Sequence, residues 1–403
     1  MAVKQNFFAE KREWSKLKDQ ILDHYLAPYL AKITTSGRPT RIADCFAGKG
    51  RFDDGQPGSP IIIAKHVDAM RARSPAPDVK AIFIEQKYAA ELRANLAAAS
   101  NCQVIEGDYE QFVLGFLSGR VDRDRNYFFY VDPYGIKSLN FSHFARLKAV
   151  GFQSLEILIN LNTTGFLREG CRLLKLTRKI PEWADDLDFD TDGKNTPVRM
   201  DEVADGNYWQ TILADFQTRT IDFHQAEEQF IAGYIERLGT HFKYVVNIPI
   251  KERSHHMPKY RLVFATDYHD GLFLMVHEMN AAWRKLLEQE RGGQLYLFDA
   301  TALEALGGLT IQEKVIAELR LPMNLRDLLI CLIRKHGIAH TIGEYKAAIK
   351  EKEGSVFKLM RDPPKTPTGK PSHSMDYNKG KIIVNPIPPK WPKWPPKWPV
   401  LQP

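Results

Sequence analysis

The sequence predicts an α/β fold, a doubly wound and mostly parallel sheet, followed by a separate winged-helix-like domain rich in basic residues. Three observations carry this. Between Thr40 and Leu161, five short apolar runs of strand length alternate with stretches of helical period, the order that builds parallel sheets. The first run leads directly into a glycine turn, Ala47-Gly48-Lys49-Gly50, and open α/β sheets bind ligands where their strands end. Beyond Leu321 come two helical faces and two hairpin arms, and residues 321–403 carry 15 Lys/Arg against 6 Asp/Glu.

Taken in order, a helical lead-in at 1–36 places Trp14, Leu17, Ile21, Leu22, Tyr25 and Leu26 at helical spacing, with Pro28 expected to interrupt or kink it. The α/β domain occupies 37–290. Its expected strands are Thr40–Phe46, Ala81–Glu85, Gln103–Glu106, Tyr127–Val131 and Ser154–Leu161, with helices at Pro60–Met70, Tyr88–Ala99, Tyr109–Leu117 and near Phe141–Val150 between them. Residues 181–207, rich in Asp, Gly and Asn, read as an acidic loop or lid. Helices at Trp209–Phe216, Ala226–Leu238 and Gly271–Glu290 flank two late strands, Tyr244–Ile250 and Tyr260–Thr266, which suit an antiparallel sheet edge. A connector at 291–323 leads to the winged-helix-like domain at 324–385, with helix faces ending at His336-Gly337 and spanning Ile342–Lys352, and arms at Ser355–Leu359 and Lys381–Val384. The Pro/Trp/Lys-rich tail at 386–403 favours polyproline II.

Charge separates the two halves. The chain nets +7, but residues 321–403 alone net +9, which leaves 1–320 slightly acidic. Such a block is an electrostatic footprint for a polyanion, and a nucleic acid, DNA or RNA, is the expected partner. Lys346 and Lys350 on the second helix, with the pairs Lys390-Trp391, Lys393-Trp394 and Lys397-Trp398, offer phosphate neutralisation and ring faces for stacking. A tail that docks on a protein groove is the competing expectation. No apolar run is long enough to cross a membrane, and the charged N-terminus lacks the pattern of a secretory signal, so a cytoplasmic protein with no membrane partner is expected. Cys45, Cys102, Cys171 and Cys331 lie far apart with no CxxC pair, and the histidines lack metal-ligand spacing, so no metal is expected and the thiols read as free.

The chemistry-bearing residues gather at strand ends. Gly48 and Gly50 let the backbone pass close to a ligand, and the sequence around them is not a P-loop, because Gly follows Lys49. Glu85 closes the second strand, where a carboxylate accepts ribose hydroxyls, and Asp108 follows the third, where it meets an adenine amino group. Asp132-Pro133-Tyr134 ends the fourth: the acid accepts a proton-bearing amine or orients a nucleophile, the proline sets the turn and the tyrosine stacks on a base. An ordinary Pro-Tyr-Gly turn capped by Asp132 is the structural alternative.

The run DCFAGKGRFDDGQPGSPIIIA, the strand-end Glu85 and the DPYG turn resemble the three-Cys-motif partner (TcmP) family and, more distantly, the bacterial ribosomal RNA adenine-N6 methyltransferases. The resemblance spans roughly residues 10–290. It implies a class I methyltransferase-like Rossmann fold, S-adenosylmethionine as cofactor and a neighbouring radical S-adenosylmethionine-like protein of the three-Cys type as partner. On the matching positions it implies that Asp44, Phe46, Ala47, Gly48 and Gly50 line the methionine end, with Gly58-Ser59-Pro60 closing over it. Glu85 is then the ribose residue, Asp108 the adenine residue and Asp132 the methyl-acceptor residue. One departure is specific: amino-methyltransferases of nucleic acid carry Asp/Asn-Pro-Pro-Tyr/Phe, whereas here the second proline is absent and Tyr134 stands third. The expected function is methyl transfer from S-adenosylmethionine to a nucleic acid, a base amino group among the acceptors. A non-catalytic cofactor sensor or scaffold, and a protein or peptide methyltransferase, are the alternatives.

Overall fold

The computed structural model describes residues 10–119, 122–133, 135–136, 139–180, 195–251, 257–290, 309–378 and 380–387. The chain divides into two compact units, 1–295 and 296–403.

The first unit is built on a seven-stranded sheet of β1 (Thr40–Asp44), β2 (Val79–Glu85), β3 (Cys102–Glu106), β4 (Asn126–Val131), β5 (Ser154–Leu161), β6 (Tyr244–Ile250) and β7 (Tyr260–Thr266). Its order is β3-β2-β1-β4-β5-β7-β6; β1 to β5 pair in parallel, and β7 runs antiparallel to both β5 and β6. This is the doubly wound, mostly parallel sheet the sequence predicts, with the strand order of the class I methyltransferase-like fold. The two late strands form its antiparallel edge.

Every residue of β4 and β5 is buried, because helices cover both faces. Alternation along β4 sends Tyr127, Phe129 and Val131 into one core with Phe141 of α5 (Phe141–Ala149), Phe166 of α6 (Thr163–Leu173), Trp209 of α8 (Tyr208–Gln217) and Phe230 of α9 (Phe223–Leu238). On the other face, Phe128 stacks against Tyr25 of α1 (Glu13–Ile33), whose neighbours are α2 (Ser59–Arg71) and α10 (His269–Glu290). Two short helices complete the sheet's flanks, α3 (Ala89–Asn95) and α4 (Tyr109–Ser118).

Three local expectations differ from the structure. Pro28 lies inside α1 without ending it. Pro28 is exposed, so the His24 carbonyl deprived of an N–H partner lies on the solvent side, where water can satisfy it. The acidic loop expected to run to residue 207 instead contains α7 (Pro197–Ala204), started by Thr196 as N-cap and Pro197 in the first turn; residues 181–194 lie outside the described residues. Helix α6 was not among the expected elements.

The second unit has its own core. It runs α11 (Ile311–Glu318), β8 (Met323–Asn324), α12 (Leu325–His336), α13 (Ile342–Glu351), β9 (Phe357–Asp362) and β10 (Lys381–Pro386), the strands forming an antiparallel sheet in the order β8-β10-β9. Capping boxes at Thr310/Glu313 and Thr341/Glu344 start α11 and α13, and Gly337 at φ 59° ends α12. Leu328, Leu329, Leu332, Tyr345, Ile349, Phe357 and Val384 are buried together. Among the described residues no helix is long and apolar enough to cross a membrane.

Candidate functional site

Parallel register brings the ends of β1, β2 and β4 level: Asp44 pairs with Phe83 on one side and Tyr130 on the other. The glycine turn, Glu85 and Asp132 therefore emerge at one edge of the sheet.

Asp44 is fully buried. Its Oδ2 accepts from Ser59 Oγ at 2.7 Å and its Oδ1 from the Phe46 N–H at 3.2 Å, which ties the first strand to the start of α2. Burial pushes its pKa up to about 7; the two hydrogen bonds offset part of that, and the nearby Asp132 carboxylate adds to it. Gly58 precedes Ser59 as N-cap, Pro60 sits in the first turn of α2, and the Gly58 N–H donates to Gly50 O at 2.8 Å.

The glycine turn needs its glycines for its own geometry. Gly48 and Gly50 have φ of 64° and 83°, and a Cβ on Gly50 would lie 2.9 Å from Leu92 Cδ1, so at residue 50 the missing side chain makes room for α3. The Gly48 N–H donates to Glu85 Oε2 at 2.7 Å, while Glu85 Oε1 accepts from the N–H groups of Lys87 and Tyr88 at 2.7 and 3.0 Å. A carboxylate has about four acceptor positions, so Glu85 keeps one on Oε2 for a ligand hydroxyl. Ala47 is buried, its N–H donating to Ile84 O at 3.0 Å, and Phe46 packs half-buried against Tyr109 with ring centroids 4.9 Å apart.

Asp108 is the N-cap of α4: Oδ1 accepts from the N–H groups of Glu110 and Gln111 at 2.8 and 3.2 Å, and Oδ2 has no partner among the described residues. Asp132 is more heavily engaged than the sequence suggests. Its Oδ2 pairs with Lys18 Nζ of α1 and its Oδ1 accepts from Asn160 Nδ2 at 2.7 Å, while Tyr130 Oη lies 3.4 Å from Oδ2. The Lys18 and Asp132 side chains are 12% and 18% exposed, enough to touch a ligand at one side. Burial draws the Lys18 pKa down, but Asp132, with Tyr130 and Asp19, outweighs it and holds the amine well above its ordinary value as an ammonium. Pro133 is buried, and Tyr134 lies outside the described residues.

The segment just before α1 also reaches the loop after the glycine turn. Lys11 Nζ donates to Pro57 O at 2.6 Å and pairs with Asp19 at 2.8 Å, and the Lys11 N–H donates to Asp54 Oδ2 at 3.1 Å. Asp19 Oδ1 and Asn160 Oδ1 are buried without hydrogen-bond partners among the described residues, so the site holds more acceptors than donors.

Sequence reasoning missed Lys11, Lys18, Asp19 and Asn160. A signal existed for Asn160: with Glu156 it is one of two polar residues inside the otherwise apolar run Leu155–Leu161. For Lys18 there was none, since a lysine on an amphipathic helix reads as solvated. In the second unit Lys346 lies half-buried 4.5 Å from the Tyr377 ring, with burial lowering its pKa, and Lys350 is exposed. Lys390, Trp391, Lys393, Trp394, Lys397 and Trp398 lie outside the described residues. No cluster of metal-ligating side chains occurs among the described residues.

No protein-family model and no characterised protein sequence matches the chain. Among solved structures it is similar to an O-methyltransferase from Bacillus cereus in complex with SAH, at 10% identity over 64% of this chain and 83% of that one, TM-score 0.33. It is also similar to the O-methyltransferase TomG from Streptomyces achromogenes, involved in tomaymycin synthesis and solved with SAM, at 11% identity over 65% and 93%, TM-score 0.32. A third is the CurJ carbon methyltransferase, at 12% identity over 64% of this chain and 56% of that one, TM-score 0.34.

Proposed function

We propose that the chain is an S-adenosylmethionine-dependent methyltransferase that acts on a nucleic acid. The carrying observation is the imbalance of acceptors at the edge of the sheet: buried Asp44, the spare position on Glu85, and the unpartnered oxygens of Asp19 and Asn160. A cationic adenosyl amino acid fits that donor deficit, since its ribose hydroxyls and ammonium donate and its sulfonium adds positive charge. In this reading Asp44, Phe46, Gly48 and Gly50 hold the methionine end and Gly58-Ser59-Pro60 cover it. Glu85 holds the ribose, and Asp108 takes the adenine through Oδ2. When bound, the cofactor supplies an electrophilic methyl group. The protein's own task is to align the acceptor beside Asp132 and exclude water.

Calorimetry with S-adenosylmethionine tests the cofactor. Glu85→Ala should weaken binding by about 1.5 to 3 kcal/mol, the scale of hydrogen bonds to a charged group. Unchanged affinity in that variant would remove Glu85 from the site.

The nucleic-acid half of the proposal rests on the basic second unit and its order of helix, strand, helix, helix and hairpin, which we read as a winged helix. Full-length protein should bind RNA or DNA with log affinity falling linearly against log salt, at about −0.9 per phosphate neutralised for duplex DNA and about −0.7 for a single strand. A flat salt response would assign the basic region to a protein partner instead. A non-catalytic cofactor sensor is the second reading, favoured by Asp132 having both oxygens engaged. Cofactor binding with no labelled-methyl transfer to nucleic acid or protein would support it.

A further inference from the structure

We infer that Lys18 lies on the acceptor side of the site and makes it a site for an oxygen nucleophile, which on a nucleic acid is the ribose 2′-hydroxyl of RNA; the inference rests on the methyltransferase reading above. The Lys18 ammonium sits on Asp132 Oδ2 and Asn160 on Oδ1, so any acceptor that reaches a remaining position of this carboxylate also lies beside a cation. An exocyclic base amine is a donor whose lone pair is delocalised into the ring, so it has nothing to accept a proton from Lys18. It also gains positive charge as the methyl arrives, next to a cation already present. Both effects raise its barrier.

A hydroxyl meets the same pair of groups favourably. Its oxygen accepts from the Lys18 ammonium and its hydrogen points to the Asp132 carboxylate, two groups already in contact at the strand-four end. As the new O–C bond forms and the methyl carbon–sulfur bond breaks, the sulfur keeps the electron pair of the broken bond and the hydroxyl proton passes to Asp132. Negative charge that builds on the oxygen along the way is stabilised by Lys18. Tyr130 Oη, 3.4 Å from Lys18 Nζ, and Asn160 hold the pair in place without needing to touch the acceptor. The absence of a second proline after Asp132 is consistent with this, since a flipped base is not the group to be clamped.

The test uses the full-length protein, S-adenosylmethionine labelled on its methyl group, and RNA and DNA strands of one sequence, digested to nucleosides after reaction. The label should appear on the ribose of RNA, with DNA labelled at least about 100-fold less. Lys18→Met should lower RNA labelling about 100-fold, the scale of losing one transition-state charge contact, while cofactor affinity by calorimetry stays within about twofold. Lys18→Arg, which keeps the charge, should retain more transfer than Lys18→Met, and it decides the matter if the methionine variant does not fold. Label on a base nitrogen, equal labelling of DNA, full activity in Lys18→Met, or cofactor binding with neither strand labelled would overturn the inference. Failure of the wild type to bind the cofactor would instead overturn the reading beneath it.

Discussion

Arg261→Met should lower the unfolding free energy by about 3 to 5 kcal/mol, the cost of stranding one half of a buried ion pair. Glu227 of α9 has a fully buried side chain and Arg261 of β7 is 7% exposed. The guanidinium donates to both carboxylate oxygens, from Nε at 2.8 Å and Nη2 at 2.5 Å, and Thr163 Oγ1 donates at 2.6 Å. Without Arg261 the carboxylate keeps, among the described residues, only the threonine hydroxyl. Glu227→Ala should cost less, because Arg261 retains Glu228 at 2.6 Å and Asn247 at 3.3 Å. The double variant Glu227→Leu/Arg261→Met should be closer to wild type than Arg261→Met alone, as apolar replacement of a buried pair often is. Denaturant midpoints at constant slope measure all three. An Arg261→Met loss below about 1 kcal/mol would mean that water reaches Glu227. The effect bears on function because Leu262, the next residue of β7, pairs with Asn160.

Asp44→Asn should stabilise the ligand-free protein above pH 7 and weaken the cofactor. A carboxyl whose folded pKa is about 7, against an ordinary 3.8, binds its proton more tightly in the folded state. Stability contributed by this group is therefore full below about pH 4, falls as pH rises toward 7, and stays low above it. A shift of that size corresponds to a penalty on the order of 4 kcal/mol at alkaline pH. Asparagine can preserve the bonds to Ser59 and the Phe46 N–H without a charge to bury. Glu156, also held near 7 by burial against the bonds from Tyr25 and Thr266, contributes a similar slope in both proteins. The measurable difference is that the variant loses about half of the stability gain on going from pH 8 to 5. A cationic ligand prefers ionised Asp44, so wild-type cofactor affinity should fall as pH drops below 7, and the variant should bind weakly at every pH. Parallel pH–stability curves for the two proteins would remove Asp44 as the source.

The alternating strands and the glycine turn were legible because each rests on local pattern. The interior of β4 is apolar or aromatic throughout, that of β5 is apolar except at Glu156 and Asn160, and the acid that ends β2 follows a run of four apolar residues. Even the antiparallel edge showed in two late strands too close for a crossover. The charge arrangement around Asp132 was not legible, since its partners Lys18 and Asn160 stand 114 and 28 residues away. Only the packing of α1 on the sheet brings the lysine there, through Tyr25 against Phe128 and Glu156. Asp108 illustrates the opposite limit: the residue type suits a ligand contact and a helix cap equally, and the structure uses one oxygen for the cap.

Helix α1 precedes every strand of its sheet in chain order, so it emerges during synthesis before the surface it packs on. Tyr25 waits for Glu156, 131 residues later, and for Phe264 beyond it, with ring centroids 5.4 Å apart in the finished protein. At roughly 5 to 20 residues per second on the ribosome, that leaves the apolar side of α1 without its sheet for on the order of 10 seconds. Leu22, Tyr25 and Leu26, all buried at the end, are exposed to other nascent chains in the meantime. The glycine turn and β2 can pair early, whereas the Lys18–Asp132 contact must wait for β4 to emerge. The Lys18–Asp132 end of the crevice thus assembles after the glycine turn, and a chain released before β5 lacks the surface that keeps α1 from aggregating.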